Sequence, residues 1–105
     1  MTSEDRRLKL SAKLHDILGT NEVYFDPPES TRMKYPAIVY RRSKVDTREA
    51  DNRKYLVHDR FTVTLIRKTS QSDLADRILD EIPYCDHNDQ YKSENLYHDI
   101  FTIYV

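Results

Sequence analysis

Three His-Asp dipeptides punctuate the sequence, His15-Asp16, His58-Asp59 and His98-Asp99, and a single cysteine, Cys85, stands two residues before His87. Adjacent His and Asp can ligate a catalytic metal, as in metal phosphohydrolases, where the pair sits on helices within a bundle. Two of the three dipeptides here fall in segments that alternate like strands, where neighbouring residues point to opposite faces. That placement argues against a shared metal centre. Cys85-x-His87 has zinc-ligand spacing, but a structural zinc site needs four ligands and usually a second paired motif. With one cysteine in the chain, no metal and no cofactor are expected. His58 and His98 could still meet on one sheet face, if their strands are neighbours, as a pH-sensitive contact between subunits.

Other catalytic patterns are missing. The sole glycine is Gly19, which rules out a glycine-rich phosphate loop and a nucleophile elbow. The chain reads as something other than an enzyme. Basic residues crowd its middle, from Arg41 through Lys68, with Tyr40 and Tyr55 among them. Asp46, Glu49, Asp51 and Asp59 lie in the same stretch, and 17 Lys and Arg against 18 Asp and Glu leave a net charge of -1. No global field draws the chain to nucleic acid, and the glycine-containing aromatic motif of an RNA-recognition sheet is missing. Small nucleic-acid-binding or metal-binding roles remain lesser alternatives.

The elements that would position these residues follow from periodicity. SEDRRLKLSAKLHDILG offers Ser3 as an N-cap, Leu10, Leu14, Ile17 and Leu18 at helical spacing, and Gly19 as a stop, which predicts an amphipathic helix. VYF at 23–25 predicts a short strand ended by DPPEST, and 26–36 a loop. AIVYRR at 37–42 predicts a second strand. SKVDTREADNR at 43–53 lacks Gly and Pro, the usual residues of a tight hairpin turn, and reads as a long, flexible connection between two antiparallel strands. In YLVHDRFTVTLIRK, 55–68, Phe61, Val63 and Leu65 share one side while His58, Arg60, Thr62 and Thr64 share the other. A long strand with a polar, Arg-bearing face results.

SQSDLADRILDEIP predicts a second helix capped by Ser70 or Ser72. Its buried stripe is Leu74, Ile78 and Ile82, with Ala75 and Leu79 beside it, and Pro83 is its stop. YCDHNDQYKSEN reads as a polar aromatic loop. LYHDIFTIYV predicts a last strand in which Phe101, Ile103 and Val105 alternate with His98, Ile100, Thr102 and Tyr104. At 105 residues one domain, 1–105, is expected. Its fold class is α+β in α-β-β-β-α-β order, with a mixed, mainly antiparallel sheet and two helices on one face. No apolar run approaches the ~20 residues of a membrane span. MTSEDRRLKL has no secretory h-region, so synthesis in a reducing cytoplasm is expected.

The segments YPAIVYRR, KYLVHDRFTVTLIRKTSQSDLADRILDEIPYC and NLYHDIFTIYV, with a charged connection between the first two, resemble the small tail-terminator and tail-completion proteins of long-tailed, siphovirus-type bacteriophages. The resemblance runs from about Tyr35 to Val105. It rests on the Tyr-Pro before the strand, the T-V-T-L-I strand, the acidic helix running into Ile-Pro-Tyr, and the His-Asp-Ile-Phe-Thr ending. It implies a small α+β virion protein of the tail or neck, assembled in the host cytoplasm. Such a protein forms a ring, in that family a hexamer, which caps the tail tube, stops its polymerisation and offers a surface to the head-tail connector. Its partners would be further copies of itself, the tail tube protein and the connector proteins. DNA would pass through without sequence-specific contact, and no membrane would be involved. A head-tail adaptor or stopper is the alternative neck component. The resemblance brings no catalytic residues. It makes the charged connection, with Lys44, Asp46, Arg48, Glu49, Asp51 and Arg53, the candidate interface loop, and it sets His58 and Arg60 of the polar strand face at a subunit boundary or the ring channel.

Overall fold

The computed structural model describes the backbone of residues 3–50, 53–69 and 72–105, and the side chains of these except 3, 44–50 and 53–58. Two helices and five strands follow in the order α1 (Ser3–Leu18), β1 (Val23–Phe25), β2 (Ala37–Ala50), β3 (Arg53–Arg67), α2 (Leu74–Glu81), β4 (Cys85–Ser93) and β5 (Leu96–Tyr104). The strands form one mixed sheet in the order β1-β2-β3-β5-β4. β1 pairs with β2 in parallel, and every other pairing is antiparallel. The architecture is α+β, as periodicity predicts.

One apolar cluster joins the helices to one sheet face. Leu10, Leu14, Ile17 and Leu18 of α1, with Ile78 of α2 and Ile82 just beyond it, meet Ile38, Tyr40, Phe61, Val63, Leu65, Phe101 and Ile103. All but Ile38 and Tyr40, which fall in the run AIVYRR, are periodic positions read from the sequence, while Leu74 and Val105 of the same stripes pack against the cluster only half-buried. Leu79, predicted beside the stripe, is 39% exposed, as a position flanking the buried face allows.

Local signals place the helix ends. Gly19, at φ +79°, turns α1 off in the left-handed region that favours glycine, and its N–H donates to the His15 carbonyl at 2.8 Å. At the start of α2 the N-cap is Asp73, without a side-chain cap bond, in place of the expected serine. Ser72 Oγ accepts from the Leu74 N–H at 3.1 Å, Ser70 lies outside the described residues, and at the other end Pro83 cannot extend the helix.

Two expectations are corrected. Residues 84–95, read as a loop, contain β4 and the hairpin turn into β5. The strand was hidden because its residues after Cys85 are all exposed, so no apolar alternation marks it. Its turn uses Glu94 and Asn95, at φ 53° and 64°, the conformation of a two-residue hairpin turn that glycine normally supplies. The added strand also changes the connection after α2. That helix leads to β4 at the sheet edge, and β5 returns to slot between β3 and β4.

The second correction concerns 43–53. Most of this segment continues β2 and the start of β3 as an antiparallel ladder from Lys44 opposite Arg60 to Ala50 opposite Arg53. Charged side chains without Gly or Pro had read as a connection, yet nothing in them opposes extended backbone. Asp51 lies outside the described residues.

Asn95→Val should lower stability by about 1–2 kcal/mol, since a β-branched residue resists positive φ, whereas Asn95→Gly should leave it within about 0.5 kcal/mol. Urea denaturation of the three proteins checks this.

Candidate assembly surface

The β2–β3 hairpin is longer than the sheet that supports it. β5 pairs with β3 only from Arg60 to Arg67, and β1 pairs with β2 only from Ile38 to Tyr40. Beyond Asp59 the two strands therefore continue as a two-stranded ribbon without a third strand, about 20 Å long at strand rise. The Cα extents of 51 × 26 × 23 Å reflect this arm.

The base of the arm is built from charge and aromatic rings. Asp59 is fully buried, and its carboxylate accepts from Arg6 Nη2 of α1 at 3.2 Å and from Arg42 Nε of β2 at 3.1 Å. Its backbone exchanges two hydrogen bonds of 3.0 Å with Val105. Phe25, Tyr40 and Phe61 form a row across β1, β2 and β3, with centroid spacings of 5.1 and 6.0 Å. The Arg7 guanidinium lies 4.7 Å from the Phe25 centroid and that of Arg42 5.3 Å from Phe61, within cation–π range. A bulge between Arg42 and Lys44 turns Ser43 toward β3. There Ser43 Oγ donates to the Arg60 carbonyl at 3.0 Å and accepts from Arg60 Nε at 3.1 Å.

A second buried carboxylate holds the opposite end of the sheet. Asp99, 1% exposed, accepts from Arg67 Nε at 2.9 Å, and its other oxygen lies 3.1 Å from His87 Nε2. Arg67 also donates to the Thr69 carbonyl at 2.7 Å. His87 packs edge-on against Phe101, with centroids 5.0 Å apart.

The dipeptides are thus dispersed. His15 Nδ1 bonds to the Ser11 carbonyl at 2.8 Å, Asp59 and Asp99 are committed to arginines, and His98 stacks on Tyr91 at 4.6 Å. His98 stands opposite Ile66, eight positions along β3 from His58, a separation of about 26 Å. The backbone positions of the two histidines therefore do not meet within one copy, although their strands adjoin. Among the described residues no group of three His, Cys, Asp or Glu side chains is placed to hold a metal. Burial, with a smaller contribution from the Asp86 charge, pushes the Cys85 thiol up to about 11.

Of the expected interface residues, Lys44, Asp46, Arg48 and Glu49 lie on β2 of the arm, Arg53 and His58 on β3 of the arm, and Arg60 at its base. The buried pairs were missed because their partners lie 53, 17 and 32 positions away in sequence. A signal was present: Asp59 and Asp99 share the parity of the apolar residues Phe61 and Phe101, so each carboxylate had to face the core.

Opposite the core, no helix among the described residues lies over the outer sheet face. It presents Val39 and Arg41 of β2, Arg60, Thr62, Thr64 and Ile66 of β3, and His98, Ile100, Thr102 and Tyr104 of β5, with Arg41 exposed and the others half-buried. On the helix side, a cleft of about 570 Å³ opens between α1, the end of α2 and the C-terminal end of β5, lined in part by Leu10, Ile82, Tyr84 and Val105. The Lys13–Glu81 pair at 3.3 Å is also in its lining. Among the described residues no helix is long and apolar enough to cross a membrane. Comparison of the chain with protein-family models, curated proteins and solved structures returns no match.

Asp59→Ala should destabilise the protein by about 3–5 kcal/mol, because it leaves two guanidiniums around an emptied, buried position; denaturant unfolding gives the value. At pH 8, Cys85 should react with a disulfide reagent about 100-fold more slowly in the native protein than after unfolding in urea, because thiolate is the reactive species.

Proposed function

We propose that this chain is a structural subunit of a phage tail neck, of the tail-terminator type, that works by assembling with copies of itself into a ring. The observation that carries the reading is the arm. A two-stranded ribbon alone in water is marginally stable, yet here one leaves the sheet from a base secured by a buried carboxylate, two arginines, an aromatic row and a serine bridge. So firm a base beneath so unsupported a ribbon makes sense when another surface covers the ribbon after assembly. The sequence of the arm, with Lys44, Arg48, Arg53 and Lys54 against Asp46, Glu49 and Asp51, suits a neighbour of mixed charge more than a polyanion.

The tail assignment comes from the resemblance of YPAIVYRR, TVTLI, the helix running into Ile-Pro-Tyr, and HDIFT. The α+β sheet with both helices on one side is compatible with it. In this reading the ring caps the tail tube, ends its growth and offers a surface to the connector in the virion, while DNA passes through without sequence-specific contact.

The test is the mass of the purified protein by light scattering over a range of concentrations, alone and with tail tube protein, with negative-stain images. A ring of about six copies, either alone or on tube ends, is the expected result. A variant with the arm cut back to a two-residue turn between Ser43 and Asp59 should still unfold cooperatively in urea and lose the ring. A wild-type protein that stays a monomer in both conditions overturns the reading.

A further inference from the structure

The arm accounts for one side of a subunit contact and leaves the outer sheet face without a role. That face is a carpet of β-branched side chains. Thr62 stands opposite Arg41 on one side and Thr102 on the other, and Thr64 stands between Val39 and Ile100. Arg41 and Arg60 make no ion pair with a carboxylate among the described residues, and the carboxylates on this face, Asp86 and Asp89, lie on β4 at the far edge.

The opposite side of the molecule carries the complement. Asp73, Asp76 and Asp80 are exposed along the outward side of α2, at the spacing that aligns side chains on one helix face. None makes an ion pair among the described residues, in contrast to Glu81, whose carboxyl is held below the usual carboxylate range by Arg77 and then Lys13. In sequence between Asp76 and Asp80 stands Leu79, 39% exposed, an apolar residue partly open to solvent on this helix.

Resting on the ring reading above, we propose that the outer sheet face of one copy receives α2 of the next copy. The carboxylates of Asp76 and Asp80 meet Arg41 and Arg60, and Leu79 seats on the Thr64 and Ile100 carpet. The occupant is a second copy because the chain itself bears both halves of the contact, opposite in charge and on opposite sides of the domain. A contact between unlike surfaces repeats in one direction, and it closes into a ring when the rotation per copy allows. Charge complementarity also fixes which face meets which.

Charge exchange tests this contact. The variant Asp76→Lys with Asp80→Lys and the variant Arg41→Glu with Arg60→Glu each set like charges against each other. Each should weaken self-association at least about 100-fold, so that light scattering returns a mass near the 12.6 kDa of one chain. Mixing the two variants restores an acidic surface opposite a basic one at every contact and should restore assembly, as should all four substitutions in one chain. Dichroism and urea unfolding of each variant check that it is folded. Variants that assemble like the wild type, or a mixture that stays monomeric, overturn this contact while leaving the ring reading intact. A wild-type protein that fails to assemble with or without tail tube protein overturns both.

Discussion

Asp59 is the constraint on which the rest depends. A carboxylate at zero exposure is tolerable only when its charge is met by partners of good geometry, and here the partners arrive from α1 and β2 while its own backbone ties to Val105. Four parts of the chain therefore converge on one residue. It marks where the five-stranded sheet ends and the two-stranded arm begins, so the same interaction that docks the first turns of α1 also determines the point from which the arm leaves.

Asp99 repeats the device at the other end of the sheet, joining β3 through Arg67 to β4 through His87. The apolar cluster lies between these two charged posts. Hydrophobic burial is non-directional and would accept some sliding of helix on sheet. Two buried carboxylates with distant, geometrically demanding arginine partners do not accept it. Their contribution is one of registry, holding α1 and β4 in place across a small core, more than of net stability.

What could be read in the sequence is whatever had a period. The stripe Leu10, Leu14, Ile17, Leu18 and the alternation Phe61, Val63, Leu65 each repeat at the spacing of their element, and both proved to face the core. The polar face of β3 was legible for the same reason. β4 was not, because an edge strand with both faces in water has no apolar parity to read. Nor was the arm, since Lys44–Ala50 is extended through ladder bonds to β3, a non-local cause that leaves no mark on composition. The candidate site was legible only in part. Arg60 and the charged arm residues could be singled out, but Asp59, with Arg6 and Arg42, was overlooked because its position in an apolar series was the clue and its polar type concealed it.

The edges of the sheet carry a final implication. One edge is a strand of only three residues, and the other, β4, is interrupted at Asn88 by a register shift and displays Asp86, Asp89 and Lys92. Both are devices that hinder strand-by-strand growth between molecules. Growth from those two edges is thereby discouraged, and the unpaired flanks of the arm are left as the part of the sheet open to another strand.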